Sequence, residues 1–256
     1  MANDLILTGN KALSNVQRSI SVLNKLLPNS LDKLAWWNSL SYDWKNLFLY
    51  ELKVSEIEFN QKPDFYLEKL FNITELSFVE MYIQEVSALG NLKQLSQLVL
   101  THNYIQDISV LGNLTQLTKL SLNNNEIQDI SVLGKLTKLT ELELHSNYIQ
   151  DISALGNLTQ LTYLSLFNNQ IQDISALRNL TQLKELRLYW NQVHDISALS
   201  NLTQLTNLEI FWNPIQDISP LATLENLQSL SLFGNPVAQS DIGWLQSKLP
   251  NCEIIY

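Results

Sequence analysis

The stretch from Leu117 to Lys135, LTKLSLNNNEIQDISVLGK, decides the fold of this chain. Leu120 and Leu122 are separated by one polar residue, and this alternation predicts a short β-strand that buries both leucines on one face. Asn125 and an isoleucine follow, which gives the pattern L-x-x-L-x-L-x-x-N-x-I. One such unit has too few apolar residues to enclose a core, so the pattern predicts packing against further copies of itself.

The pattern recurs with a period of 22 residues and without an insertion. Stacked units of this kind bury a continuous core, with their short strands side by side in a parallel sheet. Eight units are present, and their leading apolar positions are Ile73, Leu95, Leu117, Leu139, Leu161, Leu183, Leu205 and Leu227.

The units, with the segment IQDISALGNLTQL that begins at Ile149, resemble leucine-rich repeats and are most similar to the bacterial internalin type. The resemblance covers roughly residues 73–256. It implies an α/β solenoid, curved as a right-handed arc, with a concave parallel β-sheet and convex 3-10 or turn segments. We expect an N-terminal helical capping region over residues 1–72, the eight repeats over 73–238, and a C-terminal helix and strand cap over 239–256.

The first 72 residues are predicted to form helices that cap the exposed end of the solenoid. SNVQRSISVLNKLL has Ser14 as its capping residue, SYDWKNLFLYEL has Ser41, and PDFYLEKLF begins at Pro63. VSEIEF, which begins at Val54, has the L-x-x-L-x-L spacing outside the 22-residue register and is interpreted as a degenerate coil. The aromatic side chains expected in the core of this region are Trp36, Trp37 and Trp44.

At the other end of the chain, DIGWLQSKL predicts an amphipathic helix that covers the last coil. A ninth strand is expected after it, because Leu249, Cys252 and Ile254 continue the 22-residue spacing. Cys252 then occupies a core leucine position, and we expect a small buried hydrophobic residue rather than a nucleophile.

Two polar columns accompany the leucines. The asparagines are expected to satisfy buried backbone groups at the turn after each strand, and they are Asn103, Asn125, Asn147, Asn169, Asn191, Asn213 and Asn235. The aspartates of the QDIS segments suggest either calcium binding or capping of the convex turns. Capping is favoured because the glycine-rich signature of calcium-binding solenoids is missing; these residues are Asp107, Asp129, Asp151, Asp173, Asp195 and Asp217.

Composition excludes several classes of function. The chain has 25 acidic and 16 basic residues, a net charge of −9, which argues against a nucleic-acid partner. No phosphate-binding glycine motif is present, and neither a transmembrane run nor a signal peptide is recognisable, so a cytoplasmic monomer is expected. The three histidines and the single cysteine form no catalytic or metal-binding constellation. We therefore expect no enzyme activity, no metal and no cofactor.

The concave face carries the strongest signal of function. The column that runs Val79, Thr101, Asn123, His145, Phe167, Tyr189, Phe211, Phe233 is aromatic from the fifth unit onward, although the first four units show that folding does not require rings there. Contiguous exposed aromatic residues mark interaction sites, because they combine a large apolar area with little side-chain entropy. Acidic neighbours favour a partner that carries basic as well as apolar groups. The predicted partner-binding residues are Tyr163, Phe167, Arg187, Tyr189, Trp190, Glu209, Phe211, Trp212 and Phe233.

The resemblance implies that the concave surface binds a protein or peptide, and a scaffold or interaction module is the leading hypothesis. A secreted or surface adhesin and the recognition domain of a larger signalling or effector protein are the alternatives. Sugar binding by the tryptophans and tyrosines is a weaker hypothesis. The ring column could also serve only to stabilise the sheet through contacts between neighbouring strands.

Overall fold

The computed structural model describes residues 28–256, and their side chains from Lys33 onward. The chain divides into two compact units after Asn72. In the described part of the first unit, the helices are α1 (Pro28–Ser39), α2 (Tyr42–Leu52), α3 (Glu56–Gln61) and α4 (Pro63–Phe71). The predicted helix that starts at Ser14 lies outside the described residues.

Local sequence signals set the bounds of these helices. The Ser41 side chain accepts a hydrogen bond from the Trp44 backbone N–H, as predicted for the start of α2, and Pro63 stands in the first turn of α4. The interpretation of VSEIEF as a degenerate coil is wrong, because these residues start α3. Ser55 and Glu58 form a capping box there, and Ile57 faces solvent while Phe59 is buried.

Aromatic rings fill the interior of this helical unit. Trp37 and Trp44 are buried, and Trp37 stacks on Phe59 with ring centroids 4.1 Å apart. Trp36 lies edge-on to Phe71 at 4.9 Å. The three tryptophans therefore pack within the unit, as the sequence predicts. No helix of the described residues has the length and apolar character needed to cross a membrane.

The second unit is a sheet of nine parallel strands in chain order. They are β1 (Glu75–Ser77), β2 (Gln97–Val99), β3 (Lys119–Ser121), β4 (Glu141–Glu143), β5 (Tyr163–Ser165), β6 (Glu185–Arg187), β7 (Asn207–Glu209), β8 (Ser229–Ser231) and β9 (Glu253–Ile255). From β1 to β8 each residue pairs with the residue 22 positions later, as in Leu98 with Leu120. The central leucine of each of these strands is buried.

A 3-10 helix returns the chain on the opposite side after each of the first seven strands. These segments are Ser87–Asn91, Ser109–Asn113, Ser131–Lys135, Ser153–Asn157, Ser175–Asn179, Ser197–Asn201 and Ser219–Thr223. After β8 a true α-helix, α5 (Gln239–Lys248), takes that place. The helix and its connections use two more residues than a regular repeat.

The predicted register of the last strand is wrong for this reason. Leu230 pairs with Ile254, an offset of 24 residues instead of 22, so Cys252 does not stand beside a core leucine of β8. Cys252 is nevertheless buried. Burial raises the pKa of its thiol to about 11, which keeps it protonated at neutral pH and agrees with a structural rather than a nucleophilic role.

The asparagine column forms the predicted hydrogen-bonded ladder. Asn147 donates from Nδ2 to the carbonyl oxygens of Leu122 and Leu144 at 3.0 and 2.9 Å, and its Oδ1 accepts from the Ile127 N–H at 3.0 Å. The amide thus bridges its own coil and the preceding one. Met81 occupies this position in the first repeat, and its N–H donates to Asn103.

The aspartate column caps the convex turns. Asp129 Oδ1 accepts from the Ser131 backbone N–H at 2.8 Å, and the same contact recurs at the other five aspartates of the column at 2.7 or 2.8 Å. The hydrogen bonds from Ser131 hold the pKa of Asp129 below its ordinary value. Among residues 28–256, no group of three or more acidic, histidine or cysteine side chains is arranged to hold a metal ion.

Candidate functional site

The strand register places equivalent residues of successive repeats side by side on the concave face. Two outward columns come from the strands themselves, and the next two come from the residues that leave each strand. The third column is the one predicted to carry the rings. Tyr163 belongs to the first column, Arg187 and Glu209 to the second, and Trp190 and Trp212 to the fourth.

The rings of the third column stack face to face in one continuous ladder. Centroid separations along it are 4.1, 4.3, 4.1 and 4.3 Å, with interplanar angles of 9 to 15°. We call this set the ring ladder; it consists of His145, Phe167, Tyr189, Phe211 and Phe233. Sequence reasoning missed His145, which it grouped with the polar residues of the first four repeats. The signal was its place in the same column directly before Phe167.

Stacking determines which parts of the rings a ligand can reach. Phe167, Tyr189 and Phe211 each have a ring neighbour on both faces, so only their edges project from the sheet. Aromatic faces carry partial negative charge and aromatic edges partial positive charge. The ladder therefore offers a ligand a narrow apolar strip with a weakly positive rim.

His145 is the ring at one end of the ladder, and its imidazole is in the neutral state. Its ring stacks on Phe167, and Nδ1 lies 3.2 Å from Ser165 Oγ. Burial lowers the pKa of His145, and it outweighs the nearby Glu143 carboxylate, which acts in the opposite direction. The ladder is consequently uncharged at neutral pH.

Trp190 and Trp212, the indole pair, lie beside the ladder in an unusual backbone conformation. Their φ angles are 54° and 52°, in the left-handed region, which is unfavourable for large side chains. The first five repeats have Glu80, His102, Asn124, Ser146 and Asn168 at this position, and the eighth has Gly234. Each indole is 53% exposed. The fold tolerates tryptophan here but gains no buried core from it.

The two indoles pack on different rings. Trp190 lies edge-on to Tyr189 of its own repeat at 5.6 Å, whereas Trp212 lies edge-on to Phe233 of the next repeat at 6.2 Å. Trp212 also rests on Gly234, where an added Cβ would stand 2.7 Å from the indole ring. Glycine at that position thus provides both the left-handed backbone, with φ 74°, and the space for the ring.

On the other side of the ladder, carboxylates dominate. We call the charged residues of the first two columns in the fourth to seventh repeats the acidic band: Glu141, Glu143, Glu185 and Glu209, together with Arg187. Arg187 Nη2 lies 2.7 Å from Glu185, its Nε lies 3.6 Å from Glu209, and its guanidinium lies over the Tyr163 ring at 5.6 Å. Among the residues that the structure describes, that buried Nε has no hydrogen-bond partner.

The remaining glutamates of the acidic band, Glu141 and Glu143, have other partners. Glu141 pairs with Lys119 at 2.8 Å, and Glu143 accepts from the Ser121 hydroxyl at 2.8 Å. Burial raises the pKa values of Tyr163 and Tyr189, so both phenols are neutral hydrogen-bond donors at neutral pH. The band keeps a net negative charge, since two cations, Arg187 and Lys119, face four carboxylates.

The nine residues predicted to bind a partner thus form two neighbouring groups. Six of them make the ladder and its indole flank: Phe167, Tyr189, Trp190, Phe211, Trp212 and Phe233. Tyr163, Arg187 and Glu209 form a separate cluster beside the ladder. Their role in binding stays a prediction.

Exposed tyrosines also occur outside the concave columns. Tyr104 and Tyr148 follow the asparagine turn and are 48% and 50% exposed. Tyr148 lines a shallow groove of about 560 Å³ together with the QDIS side chains of two repeats. Their exposure matches that of the indole pair, which makes them suitable positions for control substitutions.

A parallel sheet with one strand per 22-residue coil, 3-10 return segments and an asparagine ladder defines a leucine-rich repeat solenoid. The family model for leucine-rich repeats in two copies matches residues 115–157 and 159–201. The solved structure of internalin C2 from Listeria monocytogenes is 31% identical, with 84% of this chain and 92% of that chain covered and a TM-score of 0.74. The chain belongs to the internalin-like leucine-rich repeat proteins.

Two further solved structures are similar. Internalin F from Listeria monocytogenes is 27% identical, with 84% of this chain and 88% of that chain covered and a TM-score of 0.38. A leucine-rich repeat protein of Leptospira interrogans is 26% identical, with 68% and 52% covered and a TM-score of 0.57. None of the curated protein sequences matches the chain.

Proposed function

We propose that this chain binds a protein or peptide partner on its concave face, through the ring ladder and the indole pair of the fifth to eighth repeats. Leucine-rich repeat domains are typically protein-interaction modules, and the fold is generally non-enzymatic. The observation that carries the proposal is the presence of Trp190 and Trp212 in left-handed backbone positions with half of each side chain exposed.

The cost of these residues supports a role in binding. A left-handed conformation costs an ordinary side chain about 1–2 kcal/mol, and asparagine tolerates it better. Asn124 and Asn168 occupy the same position in other repeats, so a less costly residue is available within the same fold. Each indole gains one edge-on ring contact within the chain. Contact with a partner would account for two exposed tryptophans that folding does not require.

The charge of the surroundings suggests the chemistry of that partner. The acidic band carries an excess of carboxylates, and the whole chain has a net charge of −9. Basic groups around an apolar anchor would complement this surface and accelerate association. Binding should therefore weaken as the ionic strength rises.

The test is capture of partners by the wild-type chain and by a Tyr189→Ala/Phe211→Ala/Trp212→Ala variant, followed by calorimetric titration with each purified partner. Tyr104→Ala/Tyr148→Ala is the control, because it removes two rings about as exposed as Trp212 from another surface. We expect the triple variant to lose the partner and the control to retain it, with cooperative unfolding in both. Equal binding by all three chains would refute the concave site.

A secreted or surface-bound ligand-binding role is the second candidate function, because the chain is similar to internalin C2 from Listeria monocytogenes. The sequence analysis leads us to propose a cytoplasmic location as the alternative to secretion. Fractionation of the native cells, with an antibody against the repeats, distinguishes a cytoplasmic protein from a secreted or surface-bound one. The same experiment gives the size of the native protein and so tests whether the repeats are the recognition domain of a larger one.

A further inference from the structure

We propose that the occupant of the concave face is an extended segment of the partner in which basic side chains alternate with apolar or aromatic ones. This inference rests on the proposed function and adds to it the conformation and side-chain pattern of the ligand. It follows from the order of three parallel strips across the sheet: the acidic band, the ring ladder and the indole pair.

The ring ladder is narrow and long, which suits a single extended chain. It is one ring wide, and its four steps of 4.1 to 4.3 Å make it about 17 Å long. An extended peptide advances about 3.3 Å per residue, so roughly five residues cover the ladder. A helix rises only about 1.5 Å per residue and is about 10 Å wide, which fits the strip less well.

Ring geometry determines what can lie directly on the ladder. Because the inner ring faces are covered, the exposed edges attract carbonyl oxygens and apolar groups rather than cations. A peptide backbone provides carbonyl oxygens at regular intervals. The cationic groups of the partner are therefore expected beside the ladder and not on it.

The two flanks of the ladder select different side chains. Successive side chains of an extended segment point to opposite sides, so one set faces the acidic band and the other faces the indole pair. Two carboxylates of the band have room for a further cation: Glu143 accepts from Ser121 and forms no ion pair with a described residue, and Glu209 has only the long contact of 3.6 Å with Arg187 Nε. Lysine or arginine complements them, and apolar or aromatic side chains complement Trp190 and Trp212.

Three synthetic peptides test this pattern on the full chain. The probe is acetyl-Lys-Phe-Lys-Phe-Lys-amide, the block control is acetyl-Lys-Lys-Lys-Phe-Phe-amide, and the charge control replaces each lysine of the probe by glutamate. Binding is followed by the indole N–H resonances in NMR spectra, with the Trp190 and Trp212 signals assigned from Trp→Phe variants. We expect the probe to bind at least about tenfold more tightly than either control, and to shift both assigned signals.

Two variants locate the contacts. Glu209→Gln and Trp190→Asn are each expected to weaken binding of the probe about three- to tenfold, whereas Tyr148→Ala leaves it unchanged. Equal binding of the alternating and block peptides, absence of binding, or shifts that spare Trp190 and Trp212 would overturn the extended pattern.

The proposed function is tested independently of the extended pattern. It is refuted if the triple concave variant still captures the partner. If that variant loses the partner, but the alternating peptide does not compete with the partner for the wild-type chain, the concave site stands and the occupant is a folded surface instead of an extended segment.

Discussion

Tyr189 and Phe211 stack with ring centroids 4.1 Å apart and planes 9° from parallel, although neither ring belongs to the hydrophobic core. Their repeats are held in register by the β6–β7 pairing, so the stack follows directly from the 22-residue period. Contact between neighbouring strands can stabilise a sheet without any ligand. The ladder therefore has a structural and a proposed binding role, and the two can be measured independently.

The structural contribution of the stack should appear in a double-mutant cycle. Tyr189→Thr and Phe211→Thr introduce the residue that the second repeat has in this column, at Thr101. We expect a coupling free energy of about 0.5–1 kcal/mol between the two rings in urea unfolding. Phe167 and Phe233 are not neighbours in the ladder, so their threonine variants should be additive. Coupling of equal size in both pairs would contradict a ladder of pairwise contacts.

The indole pair allows stability and binding to be separated. Trp190→Asn and Trp190→Ala both remove the edge-on contact with Tyr189, but only asparagine suits the left-handed backbone. We expect the asparagine variant to have a free energy of unfolding about 1 kcal/mol higher than the alanine variant, as measured by urea denaturation. Both variants should bind the partner more weakly than the wild type. Equal stabilities would mean that the backbone at position 190 relaxes once the indole is gone.

Substitutions in the asparagine ladder should reduce stability far more than substitutions in the ring ladder or the indole pair. Asn147→Asp keeps the size of the side chain but replaces the Nδ2 donor by an acceptor that faces the carbonyl oxygens of Leu122 and Leu144. Losing a buried hydrogen-bond partner costs about 1–3 kcal/mol for each group left unsatisfied. We therefore expect the free energy of unfolding of the Asn147→Asp variant to be at least about 3 kcal/mol lower than that of the wild type. Asn157→Asp, at an exposed position of a 3-10 segment, is the matched control and should change stability little.

Much of this architecture could be predicted because repetition turns a weak local signal into a strong one. The Leu120 and Leu122 alternation is ambiguous in one copy, but eight copies at a constant period fix the strand, the register and the asparagine ladder. The VSEIEF segment has no second copy to support it. Its apolar spacing suggested a coil, yet the local capping signal of Ser55 and Glu58 determines the structure.

For the candidate site, the sequence predicts which residues share a column, but not how their side chains are oriented. Position in the repeat placed Phe167, Tyr189, Phe211 and Phe233 in one line, but it could not show that their faces would be covered by one another. Whether His145 joins the stack depends on ring orientation, which no periodicity encodes. The register of β9 could not be predicted from the 22-residue period either. The segment that contains α5 is longer than a regular repeat, so the period does not extend to β9.

Acid should lower the stability of the repeats, because it protonates the aspartate column. Hydrogen bonds from the following serine hold the pKa of Asp129 below its ordinary value of 3.8, as they do for Asp107, Asp173, Asp195 and Asp217. A pKa lowered in the folded state gives stability that is fully present above the unfolded-state pKa, near 4, and is lost as the pH falls through the folded-state value. The free energy of unfolding should therefore decrease as the pH falls below about 4.

Asp129→Asn tests this assignment, because the asparagine keeps an oxygen for the Ser131 N–H but has no proton to gain. We expect the variant to be less stable than the wild type at pH 7, with a gap that narrows progressively toward pH 2 as the wild-type carboxylate is protonated. Urea unfolding at pH 7, 5, 4, 3 and 2 measures the gap. A difference that stays constant from pH 7 to pH 2 would show that the turn is capped by shape alone and that the charge of Asp129 has no part in it.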